Sequence, residues 1–394
     1  MRLAIVVPRY GPGIVGGAET LCRDYAERLL AAGHEVEVLT TCARDHFSWR
    51  NELPPGTTTV DGVTVHRYPV TTPKDHGAVT MLHARLDAGF RLDAAAEKRW
   101  VENTGYSAPM LDAIAQTAAR VDAVLFAPYL FASTVFGACV APSKSLIIPC
   151  LHDEAYARFG IVQQTLQGVA GLIFNSAPER DLAARLLGET LPPNEVVGVG
   201  FDEPDPLHPD DWRRRNRLND DAVAYAGRRE IAKNFPLLLQ WMTAYNDGLG
   251  RRGPATLLAM GSGEIRAPRS ARGNLRDLGF VSQQEKLEAL AASTVTAQLS
   301  LNESFSYVLM ESWLAGTPVI VHADCAVTRT HCAESGGGLW VRDAETFAAA
   351  LDRLRGDASL RTAMARAGAH YVRTQYSWKA VLARLESAVQ ELAQ

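Results

Sequence analysis

Short apolar runs alternate with amphipathic stretches along the first half of the chain. The first run, "RLAIVV", leads through a glycine-rich loop into "ETLCRDYAERLLAAG", where apolar residues recur at helical spacing: Leu21, Tyr25, Leu29 and Leu30. Gly33 stands where this helix would end. Further runs follow at "HEVEVLTT", "AVLFA", "SLIIPCL" and "GLIFN". Short apolar strands that alternate with helices predict a parallel sheet covered on both faces.

The same alternation restarts after residues 200–216, whose three prolines and dense charge indicate a linker. Strands are predicted at "AVAYAG", "ATLLAMG", "LRDLGFV", "VTAQLS" and "PVIVH", and helices at "FPLLLQWMTAYN", "QQEKLEALAAS" and "YVLMESWLAG". The final "WKAVLARLESAVQELA" places Val381, Leu382, Leu385 and Val389 on one helical face. We therefore expect two α/β domains with a ligand in the cleft between them.

Composition narrows the class of protein. The length of 394 residues favours two domains, and the net charge of −4 argues against a nucleic-acid partner. Six cysteines without a C-x-x-C pair indicate reduced core thiols in a cytoplasmic protein. No apolar stretch approaches the ~20 residues of a membrane span, and the run before Pro8 is too short for an export signal. The basic "WRRRNR" beside Trp212 favours a solvated linker helix, with peripheral contact at the inner membrane face as the alternative.

The first loop, "RYGPGIVGGAET", contains the G-x-G-x-x-G pattern of dinucleotide-binding proteins at Gly11, Gly13 and Gly16. A dinucleotide site also needs an acidic residue at the end of the second strand, and here that strand ends in Thr-Thr-Cys. Pro12 removes a backbone donor inside the motif. The pattern therefore argues against an NAD-dependent dehydrogenase.

The later pair in this loop, Gly16-Gly17, directly precedes a predicted helix. A helix N-terminus after glycines offers unpaired N–H groups and a positive dipole end to an anion. A tight strand-to-helix turn without any ligand is the alternative, and the loop considered alone favours it.

The segment "NESFSYVLMESWLAGTPVIV" carries two glutamates, Glu303 and Glu311, eight residues apart. Two carboxylates on the cleft side of a helix suit a ligand rich in hydroxyl groups, because each carboxylate accepts several hydrogen bonds. The amides of Ser304 to Tyr307 form a helix N-terminus that could take a phosphate. An ordinary helix with an acidic first turn is the alternative.

This segment resembles the E-x7-E motif of glycosyltransferase family 4, the retaining nucleotide-sugar enzymes of the GT-B fold. The resemblance covers nearly the whole chain, because further segments match the family in order: "GGAE", "LHDEAY", "YAGRREIAKN", "LLAMGSG", "LGFV" and "YSWKAVLARL". It implies two Rossmann-like domains facing a central cleft. Residues 1–203 would bind the acceptor, residues 204–376 the donor, and residues 377–394 would form a helix packing back on the first domain.

The resemblance also implies roles for individual residues. Arg228 and Lys233 would bind the donor diphosphate and stabilise the departing phosphate, Glu303 would contact the donor sugar, and Glu311 would hold the ribose diol. His152 would lie beside the donor sugar. The remaining donor-binding positions are Gly16, Gly17, Gly227, Gly261, Phe280, Val281, Ser304, Phe305, Ser306 and Tyr307. Two serines, 304 and 306, replace the glycines of the common E-G-F-G pattern, and Asn234 stands where glycine often follows the lysine.

The implied reaction is transfer of a hexose from a UDP- or GDP-linked sugar to an acceptor hydroxyl, with retention. The acceptor would be a glycan, a lipid-linked saccharide or a small natural product, and residues 71–110, a loop-rich stretch, would help to select it. Without a D-x-D motif or a cluster of metal ligands, we expect no metal and no cofactor beyond the nucleotide sugar. The alternatives are a phosphorylase or sugar synthase on the same fold and a non-catalytic sugar-binding protein.

Overall fold

The structure is a computed structural model, and it describes residues 1–14, 16–188, 190–266 and 273–393. The chain forms two structural units. The N-terminal unit consists of Met1–Val199 and the chain from Val381 on, and the C-terminal unit consists of Gly200–Ala380. Each unit contains a mostly parallel sheet with helices, which confirms the predicted fold class.

The N-terminal unit is built on an eight-stranded sheet of order β3-β4-β2-β1-β5-β6-β7-β8, in which β3 alone is antiparallel to its neighbour. Its strands are β1 Arg2–Val6, β2 Glu35–Thr41, β3 Gly56–Val60, β4 Val63–Tyr68, β5 Ala123–Phe126, β6 Ser145–Ile147, β7 Gly171–Phe174 and β8 Asn194–Val196. Its first seven helices are α1 Gly17–Ala31, α2 His76–Asp87, α3 Ala94–Glu102, α4 Ala108–Ala118, α5 Ala132–Val135, α6 Gly160–Gln167 and α7 Ala177–Leu187. The central strands are buried along their length because helices cover both faces.

The prediction that residues 71–110 are loop-rich was wrong. Helices α2 and α3 and the start of α4 occupy most of this stretch. Asp75 caps α2 by accepting a hydrogen bond from the Ala78 amide, and Asp93 caps α3 through the Ala96 amide. Capped, alanine-containing segments are stable helices even where their hydrophobic pattern is weak, which is why periodicity alone missed them.

The C-terminal unit contains a six-stranded parallel sheet of order β11-β10-β9-β12-β13-β14. Its strands are β9 Ala222–Ala226, β10 Thr256–Met260, β11 Leu275–Gly279, β12 Val295–Gln298, β13 Val319–His322 and β14 Gly338–Val341. Its helices are α8 Pro209–Arg215, α9 Phe235–Ala244, α10 Gln283–Ala291, α11 Tyr307–Leu314, α12 Ala326–Ser335, α13 Ala344–Gly356 and α14 Ala358–Gln375. The strands and helices predicted from the sequence of this half all occur, within a few residues at each end.

The predicted linker at residues 200–216 contains helix α8, which packs into the C-terminal unit. Trp212 is fully buried in a hydrophobic cluster, and its indole N–H donates to Glu285. Arg213 donates to the carbonyl of Ala292 at 2.7 Å. The side chains of Trp212 and Arg213 thus hold the helix to the core. The expectation that "WRRRNR" is a solvated helix was therefore wrong for Trp212, and this buried tryptophan is no lipid anchor.

The last helix, α15 Trp378–Leu392, belongs to the N-terminal unit from Val381 on. Val381 and Leu385 are fully buried, and Arg384 donates to the carbonyl of Val197 at 2.8 Å. Glu386 contacts His34 at 2.8 Å. These contacts hold the helix to the N-terminal unit.

All six cysteines are unbonded. Four are buried as expected, but Cys139 is exposed and Cys150 is half-buried, so the sequence overstated their burial. Across the part of the chain that the structure describes, no helix is both long and apolar enough to cross a bilayer.

Candidate functional site

The predicted donor-site residues of the C-terminal unit lie at one edge of its sheet. Arg228 and Lys233 follow β9, Gly261 follows β10, and Glu303 follows β12. These strands are neighbours in the order β10-β9-β12 and run parallel, so their carboxyl ends meet. Ligands of open α/β sheets bind at this edge.

Two glycines allow the loop after β9 and the loop after β10 to make direct backbone contact. The Gly227 amide donates to the Met260 carbonyl at 3.0 Å. Gly261 has a φ of 120°, and a Cβ atom there would stand 2.1 Å from the Gly227 carbonyl oxygen. A side chain at position 261 would therefore push the loops apart.

The two neighbouring arginines of "GRRE" have different roles. The Arg228 side chain is 56% exposed and contacts Glu230 at 3.0 Å, so it remains accessible to an anion. Arg229 is buried, pairs with Asp277 and donates to the Ala259 carbonyl at 3.0 Å. Arg229 thus ties the loop after β9 to β10 and β11. The sequence could not separate these roles, because both residues follow the same strand.

Lys233 and Glu303 are in direct contact. The Lys233 Nζ lies 2.8 Å from Glu303 Oε1, and the carboxylate side chain is only 9% exposed. Asn234 follows the lysine with a left-handed φ of 55°, and its Nδ2 donates to the Leu299 carbonyl at 3.0 Å. Asparagine tolerates this conformation better than most residues, so it can replace the glycine common at this position.

Glu311, in the middle of α11, is held by two residues that the sequence analysis did not predict. Its Oε1 accepts from Lys286 Nζ at 2.7 Å and from Gln283 Nε2 at 2.9 Å. Its Oε2 is buried and has no hydrogen-bond partner among the described residues. A buried carboxylate oxygen without a donor is costly, so a ligand hydroxyl would be a favourable partner. The i, i+3 spacing of Gln283 and Lys286 could have indicated that both lie on one face of α10 and can contact the same residue.

The segment between the two glutamates offers a ligand mainly its backbone. Phe305 is 2% exposed and packs against the rings of Phe201, His331 and Tyr376. Ser306, the residue directly before α11, has a left-handed φ of 87°, and its buried hydroxyl has no partner in the described part of the chain. Because the Phe305 ring is enclosed, only its amide, with that of Ser306, could serve a donor, and the predicted donor-binding role of these amides stays a prediction.

The last two predicted donor positions in this unit differ in exposure. Phe280, directly after β11, is 71% exposed, while Val281 packs against the cluster around Leu287 and Leu290. An exposed aromatic ring at the carboxyl edge of the sheet is available to stack on a planar base.

In the N-terminal unit, the glycine loop already holds a buried ion pair. Glu19, in the first turn of α1, pairs with Arg9, which also donates to the Arg44 carbonyl at 3.1 Å. A Cβ on Gly16 would stand 2.1 Å from Glu19 Oε2, whereas a Cβ on Gly17 would meet no described atom within 4 Å. A side chain at position 16 would therefore have to displace the Glu19 carboxylate from its pair with Arg9. Of the literal dinucleotide motif, Gly11 and Gly13 shape the loop with positive φ, and Val15 lies outside the described residues.

His152 lies in the loop after β6, at the carboxyl edge of the N-terminal sheet. Its Nδ1 is 4.0 Å from Glu154 Oε1, which accepts from the Tyr129 hydroxyl at 2.7 Å. The preceding residue, Leu151, donates its amide to the buried Glu179 carboxyl at 2.6 Å. Burial raises the pKa of Glu179 to about 8, more than its backbone N–H partners lower it. Glu179 was missed because a glutamate in a first helical turn is usually an exposed, charge-favouring residue.

Comparison with known proteins places this geometry in context. Residues 210–371 match the family model described as glycosyl transferases group 1. The D-inositol 3-phosphate glycosyltransferase of Stackebrandtia nassauensis is 26% identical over 392 residues, which cover 93% of this chain and 85% of that protein.

Solved structures share the fold over nearly the whole chain. Sucrose-phosphate synthase from Thermosynechococcus elongatus has a TM-score of 0.71 and 17% identity, covering 99% of this chain and 98% of that one. Anabaena HepE in complex with UDP-glucose has a TM-score of 0.70 and 15% identity, covering 100% and 99%. The family model and the relatives together show a glycosyltransferase enzyme with a group 1 domain at residues 210–371, and the solved structures show the GT-B fold.

Proposed function

We propose that this glycosyltransferase transfers a hexose from a UDP- or GDP-linked sugar to an acceptor hydroxyl and retains the configuration at the anomeric carbon. One observation carries the proposal. Each glutamate of the E-x7-E segment is at least nine-tenths buried and bonded to a lysine, Glu303 to Lys233 and Glu311 to Lys286. Two fixed carboxylates with two ammonium groups suit a ligand with hydroxyls at both ends and a diphosphate between them.

Different residues of the C-terminal unit would contact different parts of the donor. Arg228 and Lys233 would hold the diphosphate, Glu303 the sugar hydroxyls, and the unpartnered Oε2 of Glu311 the ribose diol. Phe280 would stack on the base. The roles of Gly16, Gly17 and His152 towards the donor are part of the same proposal and follow from the family resemblance.

The reaction we propose needs no protein nucleophile. The bond between the anomeric carbon and the phosphate oxygen breaks, and the acceptor oxygen bonds to that carbon on the same face. The acceptor proton passes to the departing phosphate oxygen. Fixed cations at the diphosphate lower the barrier because negative charge grows there in the transition state. No metal or further cofactor takes part in this scheme.

The decisive experiment starts with a donor screen. Thermal shift of the full chain with UDP, GDP and their common hexose conjugates identifies the nucleotide, and NMR of the product gives the anomeric configuration. Binding of one nucleotide sugar with release of the free nucleotide and a retained anomer supports the proposal. An inverted product would contradict it.

Two further arms separate the alternatives. A phosphorylase would require inorganic phosphate and would release a sugar phosphate in place of the nucleoside diphosphate. Activity in excess EDTA tests metal independence, and full loss that magnesium restores would refute that part of the proposal.

A further inference from the structure

A cavity of about 520 Å³ lies in the N-terminal unit, outside the residues discussed so far. The loop after β2 lines it with Ser48–Asn51, and the loop after β4 lines it with Val70, Pro73, Lys74 and His76. Strands β2 and β4 are parallel neighbours, so the cavity opens at the carboxyl edge of the sheet. The glycine loop after β1 and His152 after β6 lie at the same edge. This is the edge at which α/β sheets bind ligands, and the volume fits a small molecule.

The side chains that line the cavity are basic or neutral. Arg50, Lys74 and His76 contribute to it, and its eight lining residues include no acid. The chain as a whole is slightly acidic, with a net charge of −4. A local excess of positive charge in a concave site attracts an anion.

Lys74 lines the cavity with an ammonium group that has few partners in the protein. Its side chain is half-buried, and within the described chain its ammonium group donates one hydrogen bond, to the His46 carbonyl at 3.3 Å, and has no carboxylate within 4 Å. Burial lowers its pKa, and the neighbouring Asp45 opposes that change. The Asp45 carboxylate is taken by the amides of Phe47 and Ser48 and by the Ser48 hydroxyl.

The walls of the cavity are fixed before any ligand arrives. Asn51 exchanges two hydrogen bonds with the backbone of Val70, which clamps one loop to the other at 2.8 and 3.0 Å. Trp49 is buried with a left-handed φ of 55°, and its ring packs on Phe131 and over Gly105. A rigid site loses little entropy on binding.

We propose that this cavity binds the negatively charged group of a small polyhydroxylated acceptor, either a phosphate monoester or a carboxylate. Lys74 and Arg50 would contact the anion, and the second N–H of the Asn51 amide would contact a neighbouring hydroxyl. The inference rests on the proposed function, because it names the acceptor class of the same enzyme. It concerns only residues of the N-terminal unit, so it can be tested without the transfer reaction.

The test is calorimetric titration of the full chain with glucose 6-phosphate, glucuronate and glucose. We expect at least one of the two anions to bind more than ~10-fold tighter than glucose, as a desolvated charge contact allows. Preference for glucose 6-phosphate identifies a phosphate site, and preference for glucuronate a carboxylate site. Lys74→Met and Arg50→Gln should each weaken the preferred anion by ~10-fold or more and leave glucose unchanged. Arg180→Ala, which removes an exposed cation of α7, is the matched control.

A parallel titration with UDP and GDP separates the two proposals. Nucleotide binding that Lys74→Met leaves intact, together with lost anion binding, supports both. Equal binding of all three sugars, or anion binding unaffected by Lys74→Met and Arg50→Gln, overturns the acceptor inference even if nucleotide binds. Selective anion binding without nucleotide binding would support the cavity assignment and refute the donor site.

Discussion

The glycine loop of the N-terminal unit and the E-x7-E segment of the C-terminal unit have the same local structure, but their glutamates lie in different surroundings. Each joins the carboxyl end of a parallel strand to a helix and places a glutamate close to that helix start. In the glycine loop, Glu19 pairs with Arg9 inside the protein, and Gly16 makes room for its carboxylate. In the other segment, Glu303 pairs with the partly accessible Lys233 at the sheet edge.

A motif residue can therefore be needed for a contact within the protein and not for a ligand. Gly16 is explained by a contact within the protein, whereas Gly17 is not, because space is open around its Cα. By the same reasoning, Arg229 is explained by its buried pair with Asp277, whereas Arg228 has only an exposed pair with Glu230. Residues whose type has no internal explanation are the better candidates for ligand contact.

The largest effect on turnover is expected at the Lys233–Glu303 pair. Lys233→Ala and Glu303→Ala should each reduce turnover by ~10²-fold or more, because in the proposed reaction both lie where charge develops in the transition state. Steady-state kinetics with the donor from the screen measures the loss, and the thermal midpoint shows that the variants are folded. Arg353→Ala, at the exposed end of α13, is the control and should stay within twofold of wild type. Near-normal turnover in both site variants would contradict the assignment.

The two adjacent glycines give a matched pair for the N-terminal loop. Gly16→Ala should lower the free energy of unfolding by about 1–3 kcal/mol, because its Cβ collides with the Glu19 carboxylate. Gly17→Ala should change it by less than about 0.5 kcal/mol, because the position is open and helical. Urea denaturation measures both. If Gly17 approaches the donor, its variant loses nucleotide affinity while keeping its stability; equal destabilisation of both variants would refute the steric explanation.

Glu179 differs from Glu303 and Glu311 because its buried carboxyl has no lysine partner among the described residues. Its contribution to the free energy of unfolding should therefore depend on pH. Its pKa in the folded state is about 8, against an ordinary value of 4.5. Between these values the folded protein binds more protons than the unfolded chain, so its contribution to stability is complete below pH 4.5 and falls as pH rises towards 8. Glu179→Gln should remove this loss and reduce the fall in unfolding free energy between pH 5 and pH 8.5 by at least about 1 kcal/mol. Urea denaturation at both pH values measures it, and an unchanged difference would contradict the raised pKa.

The smallest effect is expected at the start of α11. Ser306→Gly should raise the free energy of unfolding by about 0.5–1 kcal/mol, because glycine relieves the left-handed backbone and removes a buried hydroxyl without a partner. Asn234→Gly is the comparison, since asparagine tolerates its left-handed position and its amide bonds to Leu299. That variant should be neutral or slightly destabilised. A Ser306→Gly protein less stable than wild type would show that the hydroxyl is needed.

The fold was largely predictable, because short continuous apolar runs and period-3.6 patterns both report burial directly. Strands of the C-terminal unit and helix α15 occur where the sequence predicted them. Helices α2 and α3 were missed because their caps, and not their apolar pattern, define them. Trp212 was misassigned because a charged neighbourhood hid a residue that the tertiary fold buries completely.

Two α/β halves, the order of their motifs and the residue types at the sheet edges can be inferred from the sequence alone, since these depend on local spacing. Which charges meet depends on the tertiary structure. It paired Lys233 with Glu303 and Lys286 with Glu311, buried Arg229 while leaving Arg228 accessible, and enclosed Phe305. It also brought Arg50 and Lys74 to one cavity from loops that are neighbours only because β2 and β4 pair. Contacts between residues far apart in the chain depend on strand order and helix packing, which no local pattern encodes.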